Sequence, residues 1–318
     1  MSTEPAPSIE GVLAVWKPSG WTSHDVVAKV RGMLRIRRIG HTGTLDPAVT
    51  GVLPLCIGRA TRLVEYLQEI PKTYEATLRF GIATDTEDLS GKVVEQRDAS
   101  SLTEKQIVDA AYSFAGEIEQ VPPMVSAVKV GGKRLYELAR QGLTVDRAPR
   151  RVRIHEIKVL KVDANREQPE LTFSVTCSKG TYIRTLCVDI GRKLGVPAVM
   201  AELVRTESAG ITRQLTVTLD EIPVLQEQGR LTDKVISADT LLTDLPAIVA
   251  EHAEAIHALQ GKAIQAKRLQ TPPAAEGLCR LYRSDGIFLG LFTVDGNMET
   301  VRPVKVFHPS EEQESADR

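Results

Sequence analysis

The sequence has few of the features that mark disulfide frameworks, metal centres or membrane spans. Its 318 residues include only four cysteines, all in apolar surroundings and without Cys-x-x-Cys spacing, so they are expected to be reduced core residues. The closest histidines, His252 and His257, are five residues apart, which does not match helical zinc ligands. No signal-peptide pattern opens the chain, and no apolar run approaches the roughly 20 residues that cross a bilayer. These absences predict a cytoplasmic protein with no metal site and no membrane association.

Common signatures of active sites are missing as well. The sequence lacks GxxxxGK[ST], a GxGxxG after a strand, GxSxG and HExxH, which leaves the usual nucleotide, hydride-transfer, esterase and metalloprotease readings without support. What is present is a globular composition, 42% hydrophobic and 25% charged. At this length, such a composition predicts one large domain or two unequal ones.

The charge is segregated along the chain, although its formal total is only -1. Residues 121–215 contain 17 Lys and Arg against 9 Asp and Glu, whereas residues 82–120 contain 3 against 9. A basic middle segment is compatible with a surface that binds a polyanion. The alternative from charge alone is ordinary solvated helix faces.

Local patterns predict both helices and strands in the first 240 residues. Predicted helices are one capped by Ser23, one at 59–68, one opened by the capping box Thr103–Gln106, and one at 133–141 that stops at Gly142. Period-two alternation predicts strands at 74–80, 152–159 and 171–177. The strands come in pairs without regular strand–helix alternation. We therefore expect an α+β fold with a mostly antiparallel mixed sheet and flanking helices.

A change of texture near residues 235–245 predicts a boundary between domains at 1–240 and 241–309. The second domain should be small and mainly β, with a helix at 251–259, strands at 278–282, 287–294 and 300–307, and a hairpin turn at 284–286. The polar, acidic residues 310–318 are expected to form a disordered tail.

One loop-forming stretch stands out, because residues 40–51 read GHTGTLDPAVTG and contain three glycines around a single carboxylate. Asp46 precedes Pro47, which biases its backbone toward an extended conformation. An isolated Asp-Pro is most often a turn former. The local pattern therefore leaves structural and catalytic roles open.

The same stretch resembles the signature of the TruB-type tRNA pseudouridine synthases, and further motifs follow in family order. These are Lys17–Ser23 (KPSGWTS), Val52–Leu55 with Gly58–Arg62, Lys72–Tyr74, Pro122–Lys129 (PPMVSAVK), Arg134–Tyr136 with Ala139–Arg140, and Ser178–Leu186 (SKGTYIRTL). The resemblance covers about residues 10–215. It implies the pseudouridine synthase fold, with a C-terminal PUA-like RNA-binding domain that is matched by position and strand pattern.

The implied activity is isomerisation of uridine to pseudouridine in the T loop of tRNA, at position 55, with no cofactor. The resemblance assigns Asp46 as the essential carboxylate, Arg184 as its ion-pair partner, and Tyr74 as a catalytic residue that stacks on the uracil. A carboxylate can attack the base or the sugar, or act as a base on the ribose, and the sequence leaves these routes open.

Substrate contacts are also implied by the resemblance. Tyr182 and Leu203 correspond to residues near the target base, and His41 to a histidine that fills the gap left by the flipped nucleotide. Lys17 is also placed among the substrate-binding residues. We interpret its role there as structural support for the Asp46 loop.

The basic residues predict a thumb near 121–153 that holds the phosphates of the T stem-loop, with Lys129, Arg150 and Arg151 as binding residues. Further basic residues in or beside this stretch are Lys133, Arg134, Arg140, Arg147 and Arg153. The acidic stretch 81–88 favours the bacterial stand-alone branch, so we expect no guide RNA. One basic face and a chain of standard length demand no partner subunit, so we expect a monomer. Two alternatives stay open: an RNA-binding or tRNA-folding module with incidental or no catalysis, and an N-glycosidase that releases free uracil.

Overall fold

A computed structural model describes residues 9–309 of the chain. These residues form two compact units. One comprises residues 13–55 and 65–234, and the other comprises residues 235–309 with 9–12 and 56–64. The acidic tail predicted at 310–318 lies outside the described residues.

The chain up to residue 234 contains thirteen strands and six α-helices among the described residues. The strands are β1 (Gly11–Lys17), β2 (Ile39–His41), β3 (Thr50–Ile57), β4 (Lys72–Phe80), β5 (Ile82–Thr84), β6 (Val93–Gln96), β7 (Gly116–Gln120), β8 (Lys129–Val130), β9 (Lys133–Arg134), β10 (Arg150–Asp163), β11 (Glu170–Cys177), β12 (Ala198–Ser208) and β13 (Ile211–Thr212). The helices are α1 (Ser23–Leu34), α2 (Val64–Leu67), α3 (Glu104–Tyr112), α4 (Leu135–Arg140), α5 (Ile183–Lys193) and α6 (Glu221–Glu227), with 3₁₀ turns at Gly58–Leu63, Arg213–Leu215 and Leu231–Lys234.

A mixed sheet organises this part of the chain, with strand order β1-β3-β12-β4-β11-β10-β7, β2 beside β3 and β13 beside β12. The pairs β12/β4, β4/β11, β11/β10 and β10/β7 are antiparallel, whereas β12 and β3 are parallel. The α+β class and the mostly antiparallel mixed sheet predicted from the sequence are therefore confirmed.

Alternation along the central strands builds the core under the site. In β11, Leu171, Phe173, Val175 and Cys177 are buried while their neighbours are partly exposed. They join side chains of α3 and α5 in one apolar cluster. Full burial of a large apolar side chain contributes roughly 1.5–3 kcal/mol, so this cluster fixes α5 against the sheet. All four cysteines are buried and free, as expected.

Three sequence predictions of helices need correction. The N-cap of α1 is Thr22 rather than Ser23, and it forms a capping box with Asp25. The helix predicted at 59–68 is a 3₁₀ turn followed by the short α2. The helix predicted at 133–141 begins only at Leu135, because Lys133–Arg134 pairs with Lys129–Val130 as a small hairpin.

The chain after residue 234 contains β14 (Val235–Ile236), β15 (Ala247–Ala250), α7 (His252–Leu259), β16 (Ile264–Gln265), a 3₁₀ turn at Ala266–Arg268, β17 (Gly277–Arg283), β18 (Phe288–Val294) and β19 (Thr300–Val306). Five of these strands form a sheet of order β15-β17-β18-β19-β16. The predicted helix, three strands and hairpin turn are confirmed, and Gly286 supplies the positive φ of that turn. Across the described residues, no helix is both long enough and apolar enough to span a membrane.

Candidate active site

Asp46 lies on the loop between β2 and β3, and β1 and α1 hold that loop in place. The hydroxyl of Ser23, freed from capping, accepts a hydrogen bond from the Leu45 amide at 2.9 Å. The Gly20 amide donates to the Pro47 carbonyl at 2.8 Å. The residues on either side of Asp46 are thus fixed, while its own side chain is 39% exposed.

Arg184, in the first turn of α5, joins Asp46 to two other loops. Its Nε lies 3.0 Å from Oδ2 of Asp46, and its side chain is only 5% exposed. Its Nη1 donates to the Thr86 carbonyl at 3.0 Å and its Nη2 to the Val125 carbonyl at 2.8 Å. Contacts with three loops therefore fix the position of the guanidinium, and the guanidinium in turn orients the Asp46 carboxylate. The implied ion pair is present, and the catalytic roles of both residues stay predictions.

A cavity of about 300 Å³ opens beside this ion pair. Five of the residues predicted for the site line it: Asp46, Tyr74, Tyr182, Arg184 and Leu203. The register between β12 and β4 brings Tyr74 and Leu203 to the same cavity, because Arg205 pairs with Tyr74 and Leu203 pairs with Ala76. The side-chain amide of Gln120 fixes the backbone of Tyr182. Its Nε2 donates to the Tyr182 carbonyl, and its Oε1 accepts from the Tyr182 backbone amide.

Tyr74 presents a neutral phenol to the cavity. Burial raises the pKa of its hydroxyl above the ordinary value, and the charge of Arg205 only partly opposes this. The ring therefore combines an apolar face with a hydroxyl that can donate a proton in a hydrogen bond.

Two buried cations that line the cavity, Arg205 and Lys72, were not predicted as site residues. Arg205 is fully buried, and its guanidinium donates to the carbonyls of Val52 and Gly43 at 2.7 and 3.1 Å. Lys72 donates to the carbonyls of Gln68 and Ile70, and burial, reinforced by Arg205, lowers its pKa to about 8. A signal was available for Arg205, since it follows Leu203 by two in a strand and so shares its face.

Gly51 permits the close approach of strands that places Arg205. Its φ is +124°, and a Cβ there would lie 2.2 Å from the Arg205 carbonyl oxygen. Only glycine fits this conformation and this spacing.

His41 is the last residue of β2 and lies beside the loop, but it does not line the cavity. Its Nδ1 accepts a hydrogen bond from the Gly43 amide at 3.2 Å, and its ring meets His24 edge-on at 5.5 Å. Burial, assisted by the charges of His24 and Arg205, lowers the pKa of His41 to about 4. The imidazole is therefore neutral at physiological pH.

Lys17 supports the loop and does not line the cavity, and its place among the substrate-binding residues stays a prediction. Its side chain is fully buried. The ammonium donates to the carbonyls of Pro18, Trp21 and Pro47 at 2.8, 2.6 and 3.1 Å. Burial lowers its pKa to about 8, against the opposing effect of the Asp46 charge.

A second cavity, which we call the thumb groove, has a volume of about 720 Å³ and shares Thr44, Leu45, Asp46, Ser126 and Ala127 with the first. Its basic residues are Arg134 and Arg140, whose guanidinium groups lie 5.9 and 5.5 Å from the centre of the Tyr136 ring.

The other basic residues predicted to bind RNA lie elsewhere on the first unit. Lys129, Arg150 and Arg151 are exposed and line neither cavity. Arg150 and Arg151 begin β10, where Arg151 contacts Glu119 at 3.7 Å. Arg134 and Arg140 therefore line a cavity that includes Asp46, whereas Lys129, Arg150 and Arg151 line neither cavity, although Lys129 pairs with Arg134 in the β8–β9 hairpin.

Comparisons with known proteins agree with this geometry. A sequence profile described as TruB family pseudouridylate synthase (N terminal domain) matches residues 31–183, and one described as tRNA pseudouridylate synthase B C-terminal domain matches residues 184–243. The tRNA pseudouridine synthase B of Symbiobacterium thermophilum is 49% identical over 260 residues, covering 82% of this chain and 85% of that protein. The protein of the same name from Clostridium tetani is 41% identical over 283 residues, covering 89% of this chain and 95% of that protein. Among solved structures, a chain of a Cbf5-Nop10-Gar1 complex superposes with a TM-score of 0.75 at 27% identity, covering 95% of this chain and 86% of that one.

Proposed function

Because the chain belongs to the TruB family of pseudouridylate synthases and is an isomerase that forms pseudouridine in tRNA, we propose that its target is the T-loop uridine at position 55. The observation that carries this proposal is the Asp46–Arg184 contact at the wall of a cavity that also holds Tyr74. Such a cavity suits one flipped pyrimidine nucleotide.

The reaction exchanges one glycosidic bond for another. The bond between C1′ and N1 breaks, the uracil turns, a bond forms between C1′ and C5, and the C5 proton is replaced by a proton on N1. No atom is gained or lost and no electron is transferred, so the proposed enzyme works without a cofactor.

Asp46 is the group proposed to start this exchange, and its position is compatible with attack on the base, attack on the sugar and action as a base on the ribose. Arg184 orients the carboxylate, since its own side chain is buried and held by two backbone carbonyls. Oriented charge of this kind acts without reorganisation during the reaction.

Tyr74 and the buried cations complete the proposed chemistry. The Tyr74 ring would stack on the uracil. Its phenol would give its own proton to N1 and, as a phenolate beside Arg205, would then take up the proton lost from C5. Arg205 and Lys72 place positive charge under the cavity, which favours negative charge on a detached uracil. Tyr182 and Leu203 would contact the nucleotide from the same wall.

The thumb groove and the second unit are the parts of the chain that we propose to bind the RNA. Extrusion of a stacked nucleotide costs a few kcal/mol, which contacts to the RNA must offset. Arg134, Arg140 and Tyr136 offer charge and a ring beside Asp46, and the neutral His41 ring is proposed to fill the gap in the T loop. Residues 241–309 are proposed to bind the tRNA as a PUA-like domain, with the catalytic domain at 1–240.

The proposed enzyme acts in the cytoplasm as a monomer without a guide RNA. To test the function, the purified chain and its Asp46→Asn variant are incubated with an unmodified tRNA transcript in EDTA. Carbodiimide treatment and primer extension then map pseudouridine. A stop at the T-loop uridine with the wild type alone supports the proposal. A stop at another uridine, or none with tight binding by both proteins, contradicts the assigned target.

A further inference from the structure

Ser126 carries a buried hydroxyl that has no role in the proposed isomerisation. The residue is 6% exposed, and among the residues that the structure describes, its Oγ has no hydrogen-bond partner. Burying a hydroxyl without a partner costs free energy. Such a group in a cavity wall is most simply explained by a ligand that supplies the missing partner.

The position of this hydroxyl is tied to the catalytic ion pair. The Val125 carbonyl, one residue earlier, accepts from Nη2 of Arg184 at 2.8 Å, and Nε of the same guanidinium holds Asp46. The Ser126 carbonyl accepts from the Tyr136 amide at 3.0 Å. Bonds on both sides therefore fix the backbone from which the hydroxyl extends.

Ser126 also lies where the two cavities meet. It lines the inner cavity, whose walls include Tyr74 and Tyr182, and the thumb groove, whose walls include Arg134 and Arg140. If the inner cavity takes the base and the basic groove takes the phosphate backbone, the ribose that joins them lies at the shared residues. Asp46 is among those shared residues, as chemistry at C1′ requires.

We propose that the Ser126 hydroxyl hydrogen-bonds the ribose 2′-hydroxyl of the target nucleotide, an inference that rests on the proposed function. A serine hydroxyl and a 2′-hydroxyl each donate and accept, so the pair satisfies both groups. The 2′-hydroxyl is also the group by which a protein distinguishes RNA from DNA at one nucleotide. Ser126 would thus make the site selective for a ribonucleotide.

The test is a two-by-two comparison of dissociation constants. Wild type and Ser126→Ala are titrated with a tRNA transcript and with the same tRNA carrying a single 2′-deoxyuridine at the target. We expect either change alone to weaken binding about five- to tenfold, and the second change to add little, since both remove one hydrogen bond. Thermal stability of Ser126→Ala should be unchanged or raised, because the free protein loses an unpaired buried group.

Ser208→Ala is the matched control, because Ser208 also has a fully buried hydroxyl without a partner in the described chain but lines neither cavity. It should bind both RNAs as the wild type does. Equal losses on both RNAs for Ser126→Ala, or no loss, would overturn the proposal. So would wild type binding the deoxy tRNA as tightly as the ribo tRNA, a result that needs no variant. Failure of the proposed function itself would be seen separately, as wild type leaving the T-loop uridine unmodified.

Discussion

Arg184 and Val125 are joined by a hydrogen bond of 2.8 Å from the guanidinium to the backbone carbonyl, while the same guanidinium holds Asp46 at 3.0 Å. The segment that leads into the thumb therefore shares one buried side chain with the candidate catalytic carboxylate. Movement of that segment on RNA binding would be transmitted to Asp46 through Arg184.

Arg184→Lys is predicted to impair turnover much more than binding. A lysine ammonium is a single point of charge and cannot reproduce the fixed fork of three contacts. We expect the single-turnover rate to fall at least roughly 100-fold, the scale seen for loss of an oriented charge, with tRNA affinity nearly unchanged. Arg192→Lys, at an exposed position of the same helix, is the control. A rate for Arg184→Lys within threefold of wild type would refute the role given to its geometry.

Gly51→Ala is predicted to destabilise the fold. The added Cβ would meet the Arg205 backbone at 2.2 Å, at a φ of +124°, so overpacking and backbone strain combine to about 3 kcal/mol or more. Gly32→Ala, within α1 and without a neighbour in the way, should instead stabilise by up to about 1 kcal/mol. Urea unfolding of both variants measures the difference, and equal stabilities would contradict it.

His41 is predicted to make stability fall in mild acid. Its folded pKa of about 4 lies below the unfolded value of about 6.5, so the unfolded chain binds more protons between these values. The contribution of the neutral His41 side chain to the free energy of unfolding is complete above pH 6.5 and is lost as pH falls toward 4. His41→Gln should remove a loss of up to about 3 kcal/mol over that window. The exposed His155 gives the control, His155→Gln, and identical pH profiles for His41→Gln and wild type would contradict the assignment.

The thumb groove is predicted to contribute to the salt dependence of tRNA binding. If Arg134 and Arg140 contact phosphates, alanine at both should weaken binding and lower the slope of log K against log salt by about 1.5. The pair Arg150→Ala and Arg151→Ala, outside the groove, tests the placement predicted from the sequence. Titrations at several salt concentrations decide which pair binds RNA, and unchanged slopes for both pairs would remove the thumb from the interface.

Sequence patterns were informative where one local rule acts alone. The alternation in β11 and the capping box at Thr103 both predicted their elements correctly. Ser23 shows the limit, since both Thr22 and Ser23 are good capping residues. Which of the two caps the helix depends on Leu45, 22 residues away, whose backbone amide donates a hydrogen bond to the Ser23 hydroxyl. No local pattern contains that contact.

The candidate site shows the same division. Only the family resemblance implied the pairing of Arg184 with Asp46. Its burial depends on Asp46, Thr86 and Val125, which approach it from three distant segments. The sequence places Arg205 on the same strand face as Leu203, but its hydrogen-bond partners are backbone carbonyls, which no side-chain pattern predicts.

The proposed role of Asp46 is to drive an isomerisation in which the uracil is never released. Its most direct test is tritium release from a tRNA transcript containing [5-³H]uridine, measured under single turnover with wild type and Asp46→Asn, together with chromatography for free uracil. We predict that wild type releases tritium from the T-loop uridine without free uracil, while Asp46→Asn binds the tRNA and releases none. Tritium release by Asp46→Asn at a rate near that of wild type, or free uracil in the wild-type reaction, would contradict the account.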